Sequence, residues 1–137
     1  MAVSFRTTYL GDLRTEMVHG PSGTVVLTDA PTDNHGKGEA FSPTDLVCSA
    51  LGSCMMTIMG IVAKRDGLRL EGTSIAIEKH MSAEPPRKIA KIIVAFTMAA
   101  GVPLEQRAKL ERAAYTCPVT LSLHPDVQQV ISFTWPE

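Results

Sequence analysis

Cysteine is scarce in this chain, with three in 137 residues. An odd count at low density argues against a structural disulfide framework and makes a reducing cytoplasm the expected compartment. Charge of neither sign dominates: 13 Lys and Arg against 14 Asp and Glu leave a formal net charge of −1. That gives no electrostatic footprint for nucleic acid and no basic run for a membrane surface. The four histidines, His19, His35, His80 and His124, are scattered, and no Cys-x-x-Cys, His-x-x-x-His or His-Glu-x-x-His spacing occurs. A zinc site is therefore not expected. Gly36-Lys37-Gly38 lacks the remaining spacing of a phosphate loop, so no metal or cofactor is anticipated. The N-terminal stretch MAVSFRTTYLGDLRTE lacks the apolar core and cleavage site of a secretory signal. No internal repeat or low-complexity tract is present. Partners are expected to be small molecules or protein.

What the chain does have is one long stretch without charge. From Leu46 to Ala63 there are eighteen uncharged residues, followed by Lys64, Arg65 and Gly67. Ser42 can N-cap, Pro43 suits the first helical position, and Asp45 can reach back as in a capping box. Lys64 and Arg65 suit the negative end of a helix dipole, and Gly67 suits a left-handed stop. A helix of about 24 residues, roughly 36 Å long, follows. Eighteen uncharged residues are also about the shortest membrane span. Ser49, Gly52, Ser53, Thr57 and Gly60 make this segment small and only mildly apolar, and its flanks are well charged, so no membrane is expected. A helix apolar all round must be covered by protein on every side. A single domain over 1–137 has limited material for that, and a second copy of the chain would supply the rest.

The remaining elements follow in order. Residues 3–9, 13–19 and 24–28 read as an antiparallel meander turned at Gly11-Asp12 and Pro21-Ser22-Gly23. Residues 29–41 read as a surface loop. Residues 69–81 and 89–98 read as a hairpin reversed at Glu84-Pro85-Pro86-Arg87, with Ile92, Val94, Phe96 and Met98 on one face. A second helix is expected from Pro103, at its first position, to about Thr116, with Glu105/Lys109 and Arg107/Glu111 as surface ion pairs. A short helical turn after Cys117-Pro118 and a closing strand over 127–135 complete the chain.

Two of the three cysteines invite chemistry. Cys117 occupies the N-cap of a turn beginning with Pro118, where backbone N–H groups favour a thiolate; it is equally read as a small residue before a helix start. Cys54 lies mid-helix, away from either dipole end, so only a cation brought from elsewhere would activate it; otherwise it is a buried structural cysteine. Cys48, about 240° from Cys54 around the axis, is expected to pack in the core. Met55, Met56 and Met59 suit either an apolar access route or core packing.

The motif Ser-Pro-Thr-Asp-Leu-x-x-x-Ala-Leu-Gly-Ser-Cys (Ser42 to Cys54), with Cys-Pro-Val (Cys117 to Val119) 63 positions after Cys54, resembles the OsmC/Ohr family of thiol-dependent hydroperoxide reductases. The order of motifs and intervening elements extends the likeness over essentially the whole chain. The resemblance implies an α+β fold of order βββ-α-ββ-α-β, in which a long central helix is wrapped by antiparallel strands in an intertwined homodimer. It makes Cys54 the peroxidatic thiol and Cys117 the resolving one. It also places Arg14, in Tyr9-Leu10-Gly11-Asp12-Leu13-Arg14, where the family's site arginine follows the first strand. The family holds that arginine with a glutamate directly after the Ser/Asn-Pro pair, whereas this chain has Thr44, which cannot form an ion pair. Glu39 or Asp45 would have to substitute. Asp45 falls roughly opposite Cys54 on the helix, which favours Glu39.

The expected function is reduction of organic hydroperoxides in oxidative or osmotic stress defence, through a Cys54 sulfenic acid and a Cys54–Cys117 disulfide. The resemblance implies a lipoyl-type dithiol as reductant. A weakly catalytic or non-catalytic thiol redox sensor, or ligand-binding dimer of the same fold, is the alternative that Thr44 keeps open, and a cysteine hydrolase is a third.

Overall fold

Reciprocal hydrogen bonds fix the start of the longest helix. The Ser42 hydroxyl accepts from the Asp45 N–H at 3.1 Å, and the Asp45 carboxylate accepts from the Ser42 N–H at 2.9 Å. This is a capping box with aspartate in the acidic position. Helix α1 then runs Pro43–Arg65 and stops where Gly67 takes a left-handed φ of +72°. In this computed structural model, which describes residues 1–137, the chain forms two compact units, residues 1–47 and 48–137.

The first unit carries an antiparallel sheet of β1 (Phe5–Gly11), β2 (Arg14–His19) and β3 (Val25–Asp29), in that order. The β1–β2 turn falls one residue later than the sequence suggests, with Asp12 and Leu13 at φ of +52° and +63°. The sheet has almost no buried side chains. Phe5, Tyr9, Leu10, Val25, Val26 and Leu27 are exposed, and only Thr28 and Asp29 of its strands are buried.

The second unit holds a sheet of β4 (Ser74–Met81), β5 (Ile89–Thr97) and β6 (Gln128–Thr134). The β4–β5 pair is an antiparallel hairpin whose Pro85–Pro86 bond is cis, while β6 lies parallel to β5. A parallel neighbour needs a crossover. Here α2 (Leu104–Ala114) and α3 (Pro118–Ser122) provide it. Ile92, Val94 and Phe96 of β5 point into the core, as their alternation predicts, against a stripe of α1 formed by Cys48, Leu51, Met55, Met59 and Ala63. Gly52 is buried in the same unit, and a Cβ there would come 2.7 Å from the Ile77 Cδ1 of β4. Leu110, Ala114 and Cys117 complete the core, and Phe96 stacks on Phe133 with ring centroids 4.8 Å apart.

Helix α1 is only partly covered within one chain, as expected of a single copy: Ala50, Ser53, Thr57 and Ile61, at helical spacing, stay exposed because the second unit packs only one side of it. Three expectations are revised. Residues 69–73 are not strand but a turn with Gly72 at a φ of +95°, so β4 is shorter than the apolar alternation implied. Pro103 is the N-cap of α2 rather than its first helical residue. The two helix-surface ion pairs of α2 give way to tertiary partners. Lys109 reaches Asp66 at 2.6 Å, Glu111 accepts the Trp135 indole N–H at 3.1 Å, and Arg107 donates to the Val102 and Pro136 carbonyls beneath a Trp135 ring 5.2 Å away. Surface i,i+4 pairs are worth only a few tenths of a kcal/mol, so such partners win readily.

Candidate active site

Two polar clusters bring together the four residues singled out from the sequence, one in each unit. In the first, Arg14 opens β2 directly across the ladder from Asp29, the last residue of β3. Its Nη1 donates to Glu39 Oε1 at 3.1 Å and lies 3.9 Å from Asp29 Oδ2. The structure thus pairs Arg14 with Glu39, while Asp45 is engaged in the helix cap. Contact is through one guanidinium nitrogen rather than a two-point fork, and both partners are partly exposed.

Asp29 carried no signal in the sequence, where it reads as the start of a polar loop. The structure buries it. Its Oδ2 accepts the Glu39 backbone N–H at 3.0 Å, which fixes the loop that presents Glu39, whereas Oδ1 has no hydrogen-bond partner. The Glu39 N–H holds the Asp29 carboxyl below the ordinary aspartate range against the opposing effect of burial. Arg14 and the nearby N–H groups of Lys37 and Ala30 add to the lowering. Strand register is what would have exposed this pairing, because a meander that starts β2 at Arg14 places the end of β3 opposite it.

The second cluster is sulfur-centred. Cys117 is fully buried at the N-cap of α3, with extended backbone, and its Sγ accepts the Thr120 N–H at 3.3 Å. The Cys117 thiol also donates to the Thr120 hydroxyl at 3.1 Å. Cys54, partly buried on α1, packs against the core cluster that contains Cys117. Burial pushes the Cys54 thiol up, the Val119 N–H pulls it down, and the adjacent Cys117 raises it further. Cys48 packs in the core as expected. Met55 and Met59 are fully buried core residues, which removes them from an access route; Met56 is partly buried.

A buried Cys117 at a helix N-cap and Cys54 packed against the same core suit reversible dithiol chemistry. The family model for OsmC-like protein matches residues 36–131. The chain belongs to the OsmC-like family. Among solved structures, this OsmC-like protein is similar to a candidate osmotic stress induced and detoxification response protein from Psychrobacter arcticus 273-4, at 40% identity over 98% of this chain and 97% of that one, with a TM-score of 0.91. Its fold also matches an organic hydroperoxide resistance protein OsmC from Legionella pneumophila, at 17% identity, 98% and 97% coverage and a TM-score of 0.76. An organic hydroperoxide resistance protein from Elizabethkingia anophelis matches at 12% identity, 99% and 97% coverage and a TM-score of 0.76. No curated protein sequence matches the chain. The OsmC-like α+β order, with three strands before the long helix and a hairpin, two shorter helices and a strand after it, is the one that the two cysteine motifs imply.

Proposed function

We propose that this OsmC-like protein is a cysteine-based peroxidase that reduces organic hydroperoxides to alcohols in stress defence, working as a cytoplasmic homodimer. The observation that carries the reading is that the two motif cysteines meet in one core, with Cys117 buried at the N-cap of α3 and Cys54 of α1 packed against the same cluster. The Cys54 thiolate attacks the distal peroxide oxygen, the O–O bond breaks, and the alkoxide leaves as the alcohol on taking a proton, with Cys54 becoming a sulfenic acid. Cys117 then displaces water from that sulfenic acid and closes a disulfide. An external dithiol of the lipoyl type reopens it by exchange.

Burial raises the Cys54 thiol, so the first step needs a cation. Arg14 is assigned that role: its guanidinium stabilises the thiolate and the charge developing on the peroxide oxygens, and Glu39 orients it in place of the glutamate that Thr44 replaces. The names of the structural relatives support the substrate class. A second reading, a thiol redox sensor of the same fold, is favoured by Thr44 and by the burial that keeps Cys54 protonated.

Turnover separates the two. Incubation with excess cumene hydroperoxide and dihydrolipoamide is expected to consume peroxide well beyond one equivalent per chain, with the consumption abolished in Cys54→Ser. Oxidation that stops at one equivalent would favour the sensor, and undiminished consumption in Cys54→Ser would remove Cys54 from the chemistry.

A further inference from the structure

We propose that Thr120 is a catalytic residue of the resolving step, its hydroxyl holding the Cys117 sulfur and managing its proton while Cys117 attacks the Cys54 sulfenic sulfur. The inference rests on the peroxidase reading above and adds a residue and a step to it.

Cys117 is fully buried, so water does not solvate its sulfur. Yet the resolving reaction requires this thiol to lose its proton and to carry transient negative charge as it attacks. Thr120 makes two hydrogen bonds to that sulfur. The thiol donates to Oγ1 at 3.1 Å, and the Thr120 N–H donates to Sγ at 3.3 Å. A threonine hydroxyl both accepts and donates. In the resting enzyme it accepts the S–H; as it takes that proton and passes its own to the departing oxygen, the new O–H donates to the sulfur, so one group serves both states.

The chemistry balances without a further reagent. Cys54–S–OH and Cys117–S–H give Cys54–S–S–Cys117 and water: the S–O and S–H bonds break, and the S–S bond and a new O–H bond form. The sulfenic sulfur is reduced and the thiol sulfur oxidised. The proton travels from Cys117 by way of the Thr120 hydroxyl to the departing oxygen, which leaves as water.

The turn is held for this purpose. Gln129 of β6 donates from Nε2 to the Thr120 carbonyl at 3.2 Å, tying α3 to the sheet. Thr120 Oγ1 is the side-chain group hydrogen-bonded to the resolving sulfur. Its position three residues after Cys117 is the N3 partner of an N-cap, a spacing legible in Cys-Pro-Val-Thr.

The test divides the reaction into its two steps by stopped flow. Oxidation of Cys54 depends on hydroperoxide concentration, and disulfide closure does not. Closure is also read by trapping the sulfenic acid with dimedone. Thr120→Val, which keeps shape and removes the hydroxyl, is expected to slow closure about 10- to 100-fold, the scale of one hydrogen bond to a charged group. It should leave Cys54 oxidation within about twofold and yield a dimedone adduct on Cys54 that wild type does not accumulate. Thr120→Ser, which restores the hydroxyl, should close within a few-fold of wild type. Closure at the wild-type rate in Thr120→Val would overturn the proposal. So would equal slowing in Thr120→Ser, which would reduce Thr120 to a packing role. Failure of Cys54 to oxidise in wild type would instead overturn the peroxidase reading and this step with it. A misfolded Thr120→Val would show itself by a changed first step, and the Thr120→Ser rate would then decide alone, a wild-type rate supporting the proposal and slow closure overturning it.

Discussion

Arg14 stands between two carboxylates of different kinds, one partly exposed at 3.1 Å and one buried at 3.9 Å. An exposed pair such as Arg14–Glu39 adds little to stability, so its value lies in where it holds the guanidinium. If that guanidinium activates Cys54, Arg14→Ala should slow oxidation of Cys54 by alkyl hydroperoxide about 10²-fold. Arg14→Lys should recover little, because an ammonium cannot reproduce the planar group. Thr44→Glu should speed the step by adding a second hold on the arginine. Stopped-flow oxidation of the four proteins with Cys117 present checks this, and equal rates in wild type and Arg14→Ala would remove Arg14 from the mechanism. Asp29 makes a separate prediction. Its folded pKa lies below the ordinary 3.8, so its contribution to stability is present above that pH and is lost as pH falls from there through the folded value. Asp29→Asn should flatten that part of the acid-unfolding curve, read by circular dichroism; an unchanged acid limb would contradict it. At this scale the two cysteines and Arg14 are the residues that motifs carry. Asp29 shows itself only through strand register, and the Thr120 spacing gains meaning only from a turn folded onto a sulfur.

Helix α1 was the most legible element, because cap, uncharged run, basic end and glycine stop all agree. Its reciprocal cap gives a direct test: Ser42→Ala removes the hydroxyl that accepts from Asp45 and should cost about 1 kcal/mol in urea unfolding. A change within error would show that the buried Ser42 is not the stabilising cap. The strands were legible by alternation but not at their ends. Thr73 lies just before β4 and uses its hydroxyl to accept the Ala99 N–H, a long-range bond that no local pattern announces. The surface pairs expected on α2 failed for a related reason. Lys109, Arg107 and Glu111 are long enough to reach Asp66, Pro136 and Trp135, and those partners are set by the tertiary fold rather than by helix spacing. The parallel placement of β6 on β5 departs from the antiparallel strands expected around the helix and follows from the two-helix crossover.

On the scale of the whole molecule, each unit leaves apolar surface that the chain does not cover. The first unit exposes Phe5, Tyr9, Leu10, Val26 and Leu27, and the second exposes Ile61, Leu104, Tyr115 and Leu121. Helix α1 is long and apolar enough to cross a membrane by length and composition, but its buried stripe packs on β5, and we assign the uncovered surfaces to a second copy of the chain. Light scattering at micromolar concentration should give a dimer, with an interface above roughly 2,000 Å² as in obligate pairs. A stable folded monomer would refute that assignment. Peptide mapping after one equivalent of an organic hydroperoxide tests whether Cys54 and Cys117 form a peroxide-driven redox pair. A Cys54–Cys117 disulfide with Cys48 still a thiol is expected; a bridge that includes Cys48, or no bridge at all, would contradict that pairing.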